Sequence, residues 1–335
     1  MNSPSRRRAA LSFRFCTVTL GLAAGVLLVL PGRAAMTKEQ ITEFRNTLSA
    51  RVETTTILGG DYGVGGGGYT TTGSGGNDVD ASISKFGGAG DIGAPRPLGT
   101  LGIGWQPRLQ GSLGYLTARN HIHSEWLEGD KNENQTFAIQ FGGGARFWLD
   151  EHFSFAPTFM GMYGHSENTY TAKSEFGMSH QAEARQLGLI DWTADTWTVR
   201  PSLNLQYQYT WNRILFTLST EPTYFYTESF HTSSSTLQIS GNSETWQNKL
   251  DVDVPLRMDL LGHELRSGGF FSRMDLYDGV RDGLNSDYVY EAHGRLVMDF
   301  LGQLWKVQWI GVGASRYWGQ GLTGWSYGVD VAFRF

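Results

Sequence analysis

Two short constellations in this sequence are spaced for chemistry. His231 and Ser233 flank Thr232, and on an extended backbone that spacing puts both on one face, where an imidazole could take the proton of a hydroxyl nucleophile. His121 and His123 repeat the spacing, and Glu125 beside them completes a set of two imidazoles and a carboxylate that suits zinc. Both groups sit in stretches that read as solvated loops, so incidental surface side chains are the plainer reading. Gly65–Gly68 lacks the Lys-Ser or Lys-Thr and the helix that must follow a phosphate-cradling loop. The sequence therefore assigns no catalytic residue, no metal ligand and no cofactor.

A larger set of charged residues offers a lining instead. On the central segments these are Arg146, Arg200, Asp251, Asp253, Arg257 and Asp259, followed by Arg273 and Asp275. Towards the C-terminus come Glu291, His293, Arg295, Asp299, Lys306, Arg316, Asp330 and Arg334. All are expected on the inward faces of strands, where opposite charges on neighbouring strands can pair, fill a narrow interior and fix register. The functional alternative is a pore whose charge rings select solutes.

The elements that would carry this lining alternate with period two. From Leu250 to Leu260 one face reads Leu250, Val252, Val254, Leu256, Met258, Leu260, and the other carries Asp251, Asp253, Pro255, Arg257, Asp259. A helix would mix the two sets. The same holds from Trp197 to Tyr209, and the chain ends on Trp325, Tyr327, Val329, Val331, Phe333 and Phe335 facing one way. Aromatic residues close many apolar faces, as two membrane interfaces select. A soluble sandwich would instead turn polar residues outward and bury its apolar faces against a second sheet.

Composition narrows the solvent. Of 335 residues 40% are apolar, with 44 Gly, 11 Trp, 14 Tyr and 19 Phe, which excludes disordered and collagenous chains. Residues 1–34 combine Arg6, Arg7, Arg8 and Arg14 with an apolar run from Phe15 to Leu30 and read as a secretory signal cleaved before Ala35. Its removal takes five of the 27 basic residues and none of the 32 acidic ones, leaving 22 against 32 and a net charge of −10. Nucleic acid is thus excluded as a partner. The only cysteine, Cys16, leaves with the signal. No later segment supplies the roughly 20 apolar residues of a membrane helix, so a closed barrel is the spanning fold that remains.

Counting back from Phe335 gives strands near 323–335, 304–317, 286–300, 264–277, 246–260, 213–227, 195–210, 152–166, 135–148 and 108–120. Leu98–Trp105 and Glu53 to about Gly60 bring the total to twelve, an even number that closes with both ends on one side. Brief turns are expected at Asp150, Asn212, Leu261 and Gly302, and long outer loops at 121–134, 167–194 and 228–243. The Gly-rich stretch from Asp61 to about Pro97 reads as a surface loop, with Ala81–Gly90 as a candidate hairpin or strand extension. Ahead of the strands, Thr37 with Gln40 makes a capping box, and Ile41, Phe44, Leu48 and Val52 recur at helical spacing. A helix over Lys38–Arg51 follows, within an N-terminal unit 35–52. Glu39, Glu43, Arg45 and Arg51 would suit insertion into the charged lumen of a barrel spanning 53–335, the alternative being a periplasmic helix lying against the barrel mouth.

A helix before some twelve alternating strands, ending in Ala332-Phe333-Arg334-Phe335, resembles the translocator β-domain of bacterial autotransporters. Few residues precede the helix, so the chain looks like a solitary β-domain without a passenger. The resemblance implies an all-β membrane protein, a single twelve-stranded antiparallel barrel in the outer membrane of a Gram-negative bacterium, without enzymatic activity. Its partners would be outer-membrane lipid and the assembly machinery that receives the terminal strand at Phe335; no extracellular partner is identified. The alternatives are a small-solute channel and an outer-membrane lipid hydrolase, the latter resembled in the His231-x-Ser233 spacing.

Overall fold

The period-two pattern folds as sheet. The computed structural model describes residues 38–57, 63–72, 78–98, 103–121, 127–304 and 307–333. Twelve long strands run in chain order: β1 Gly63–Thr72, β2 Asp78–Asp91, β3 Gly104–His121, β4 Lys131–Trp148, β5 Phe153–Thr171 and β6 Thr193–Trp211. There follow β7 Ile214–Thr232, β8 Ser240–Leu260, β9 His263–Tyr277, β10 Tyr288–Leu304, β11 Val307–Gly319 and β12 Leu322–Phe333. Each pairs antiparallel with the next, and β1 pairs with β12 from Val64↔Val329 to Thr71↔Leu322, which closes the barrel. A two-residue strand, Arg96–Pro97, adds to β3 at Trp105 and Gly104.

Closure leaves no open sheet edge, the condition for strands in lipid. The outer surface carries a belt of exposed apolar side chains, among them Phe141, Phe159, Tyr207, Leu218, Leu250, Val312 and Tyr327. Asn212 and Arg213 (φ 48° and 70°) and Leu261 and Gly262 (φ 56° and 83°) make two-residue turns with both central residues left-handed, the geometry that matches strand twist. These turns lie on the rim where β1 begins and β12 ends, and short turns mark the periplasmic side. The opposite, outer rim carries α2 (Glu175–Gln186) between β5 and β6 and α3 (Asp278–Leu284) between β9 and β10. Ser174 caps α2 by accepting from the Gly177 amide at 2.8 Å.

The ten C-terminal strands fall where alternation places them, but the N-terminal region differs. Helix α1 runs from Lys38 to Ile57, so Glu53–Ile57 is helical rather than the start of a strand. Thr54, Thr55 and Thr56 look β-prone, yet their hydroxyls donate back to the carbonyls of Ala50, Val52 and Glu53 at 2.6, 2.6 and 2.8 Å, which satisfies them within the helix. The first two strands lie inside the stretch read as a loop, at Gly63–Thr72 and Asp78–Asp91. Of Leu98–Trp105, residues 99–102 lie outside the described residues, and among the described ones only Gly104 and Trp105 belong to a strand. The brief connection expected around Gly302 comes slightly later: β10 continues to Leu304, which pairs with Val307 of β11.

Candidate functional site

The interior of the barrel is the candidate site, and α1 dominates it. Contacts down its length place it in the lumen. Arg45 donates to the Ser235 carbonyl of an outer loop at 3.3 Å, and Leu48 packs with Leu189, Trp192, Leu237 and Ile239 near the outer rim. One turn on, Val52 packs with Ala138 and Met162, and the Lys85 ammonium donates to the Thr56 carbonyl at 2.8 Å. Leu48–Ala50 and Val52–Thr56 are all buried. The N-terminal end of α1 therefore lies at the outer rim and its C-terminal end in mid-lumen.

The strands are shaped to receive it. A Cβ on Gly114 of β3 would meet the Thr55 carbonyl oxygen at 2.8 Å, and one on Gly164 of β5 would meet Val52 Cγ1 at 2.6 Å. Glycine at these inward positions lets the helix approach the wall. Glu53, fully buried, accepts from the Thr227 hydroxyl at 2.8 Å. Arg45 reaches a loop carbonyl, and the side chains of Glu39 and Glu43 lie outside the described residues.

Two groups of charges line what remains. On β8–β10, Arg295 grips Asp251 with both nitrogens at 2.7 and 2.8 Å, and Arg266 donates to Asp253 at 2.6 Å. His293 stacks on Phe270 at 4.8 Å, shares a hydrogen bond with Ser315 at 2.8 Å and lies 3.4 Å from Asp330. Ser315 in turn donates to Glu291 at 2.7 Å, and Asp299 is buried. Across the barrel, Arg108 and Arg146 share Asp91 at 2.9 and 3.0 Å, and Arg146 also reaches Gln206. Arg200 lies on this side too, over the Phe225 ring.

Five expected lining residues face elsewhere. Arg273 and Asp275 pair with each other at 2.7 Å on the outward face of β9, where the guanidinium lies over Tyr288 and Tyr290. Arg316 is exposed on the outside of β11, opposite the exposed Trp325 of β12. The cause is shared: at the outer end the lumen is filled by α1 and α3, so Leu276, Val280, Leu284 and Tyr317 form an apolar interior, and polar residues turn to the headgroup level. Arg257 has φ 55° in an irregular stretch where Pro255 opposes Arg266 but Asp259 opposes Glu264. It and Asp259 are exposed at the periplasmic rim. Lys306 and Arg334 lie outside the described residues.

The His231-x-Ser233 pair does not assemble. The His231 ring bonds Asp195 at 3.1 Å, whereas Ser233 Oγ accepts from the Thr193 amide at 3.0 Å. Asp195 also holds His165 and Tyr163 at 2.7 and 2.8 Å, an outward-facing cluster that no local motif announced. Of the proposed zinc set, His123, Glu125 and the His121 side chain lie outside the described residues. Among the described residues no group of three or more His, Cys, Asp or Glu is placed to hold a metal.

Against known proteins, the profile of a family described as a solitary outer membrane autotransporter β-barrel domain matches residues 97–328. The transport unit of the Escherichia coli autotransporter AIDA-I is similar in structure, with a TM-score of 0.54 and 10% identity over 87% of this chain and 99% of that one. The β-domain of the Bordetella autotransporter BrkA gives 0.47 and 14% identity over 82% and 100%. At such identity the AIDA-I match speaks for the fold alone. No curated protein sequence matches the chain.

Proposed function

Because this chain belongs to the solitary outer-membrane autotransporter β-barrel family, we propose that it serves as an envelope barrel held shut by its own helix and performs no chemical reaction. The observation that carries this reading is the continuous burial of Leu48–Ala50 and Val52–Thr56 against inward-facing side chains of the barrel. Burying Leu48 and Val52 stabilises the seated helix by about 1.5–3 kcal/mol each, and the Lys85 bond places a cation on the negative end of the helix dipole. Residues 1–34 would direct export and be removed before Ala35. The terminal strand, ending at Phe335, would present the barrel to the assembly machinery, and the exposed apolar belt would meet outer-membrane lipid.

Planar-bilayer recording tests the reading. The full-length barrel should conduct negligibly, and a barrel lacking Lys38–Ile57 should give large, steady currents. Equal, negligible conductance in both would remove the plug, and large conductance in the intact protein would favour a small-solute channel instead.

A further inference from the structure

Beneath the C-terminal end of α1 the lumen keeps a polar cavity, roofed by Thr56 and Ile57 and reaching Arg146 and Gln206 towards the periplasmic turns. Arg108, Arg146, Arg200 and Lys249 come to it from four strands, whereas Glu221 is the one carboxylate that lines it among the described residues.

Arg200 differs from its neighbours. Arg108, Arg146 and Arg295 each hold a carboxylate within 3.0 Å. Glu221, the acid nearest Arg200, instead accepts from the Asn204 amide at 2.9 Å and stays 3.9 Å from the guanidinium. The other contacts of Arg200 are a 3.3 Å hydrogen bond to Gln140, the Met160 sulfur at 3.9 Å and the face of Phe225. Its Nε, like that of Arg295, is buried with no hydrogen-bond partner among the described residues. A guanidinium removed from bulk water without a close counter-ion is costly, and its planar fork matches an oxyanion with two parallel hydrogen bonds. Ser202, Asn204, Gln206 and Gln247 also line the cavity and can donate to further oxygens. The helix end above would repel an anion, but Lys85 already covers the Thr56 carbonyl there.

We propose that this cavity binds a small phosphate-bearing solute entering from the periplasm, with the Arg200 guanidinium as its principal ligand. The site needs no chemistry and is independent of whether α1 ever leaves the lumen.

Isothermal titration of the purified full-length barrel in detergent with inorganic phosphate, and separately with glycerol 3-phosphate, tests this. Saturable binding is expected, tighter for the free ion or for the ester according to which one the site takes. Arg200→Gln should weaken it by about tenfold or more, and Glu221→Gln should tighten it by removing the competing carboxylate. Arg273→Gln, on the outer face, should leave it unchanged. Absence of saturable binding up to about 10 mM of either probe, or equal affinity in Arg200→Gln, overturns the proposal. Should Arg200→Gln fail to fold, Glu221→Gln decides: affinity that does not rise overturns it as well.

Discussion

Adding one methyl group to the barrel wall should loosen the helix. The Cβ of Gly164→Ala would lie 2.6 Å from Val52 Cγ1 and 2.7 Å from Thr196 Oγ1, whereas carbon atoms rest at about 3.5–4.0 Å. Helix or strand must therefore give way by about 1 Å. Val52 is fully buried, with Ala138 and Met162 packed beside it, so its displacement must push against those neighbours. Overpacking of this kind costs about 1–3 kcal/mol. The cost falls only on the seated state, because a helix outside the lumen does not meet the methyl. The unseated population should then rise about 5- to 150-fold. Single-channel recording reads this as more frequent openings, and adding Val52→Ala, which removes Cγ1, should return them towards the wild-type frequency. Unchanged openings in Gly164→Ala, or no reversal in the double variant, would refute the reasoning.

Three further outcomes are expected. Lys85→Met removes the bond to the Thr56 carbonyl, worth about 1.5–3 kcal/mol for a charged donor, and should speed amide exchange over Thr54–Ile57. Asp251→Asn leaves Arg295 without its bidentate carboxylate; a loss of about 3–5 kcal/mol should lower the temperature at which the folded band disappears in heat-modifiability gels, and Arg295→Met in the same chain should recover part of it. In the outer loops, burial raises the Asp130 pKa, but bonds from the Ser174 and Lys173 amides and the Tyr170 and Ser174 hydroxyls outweigh it and hold the carboxyl below its usual range. Stability from a depressed carboxyl is present above the unfolded pKa and fades as pH falls through the folded one, so proteolysis of loop 172–192 should accelerate below about pH 4, a step that Asp130→Asn abolishes.

What the sequence disclosed and what it hid follow from the solvent on each side of the wall. β6 and β8 were legible because lipid on one side and a polar lumen on the other enforce strict alternation, as Trp197–Tyr209 and Leu250–Val254 show. β2 was not, because the outer part of the barrel is packed with helix: Val79, Ala81 and Ile83 point inward into an apolar cluster while Asp80, Ser82 and Ser84 are exposed. That inverts the pattern a hollow barrel would show, and the same inversion turned Arg273, Asp275 and Arg316 outward. β1 offered almost no pattern, since Gly63 and Gly65–Gly68 carry no side chains to alternate. The threonines of α1 misled in the opposite sense, because β-branching suggests strand unless the hydroxyls find carbonyls one turn back. Glu53, the buried polar contact that ties α1 to β7, carries no local signal; its partner Thr227 is distant in the chain.

The most direct test of the account is whether Val52 meets Ala138 in the barrel assembled in its own membrane. With Cys16 replaced by serine and cysteines placed at 52 and 138, a short bifunctional thiol reagent should join the two positions in high yield, and mass spectrometry should recover the linked peptides. A barrel folded by heat-modifiability in which both cysteines react separately with maleimide and no linked peptide forms would contradict a lumen occupied by α1.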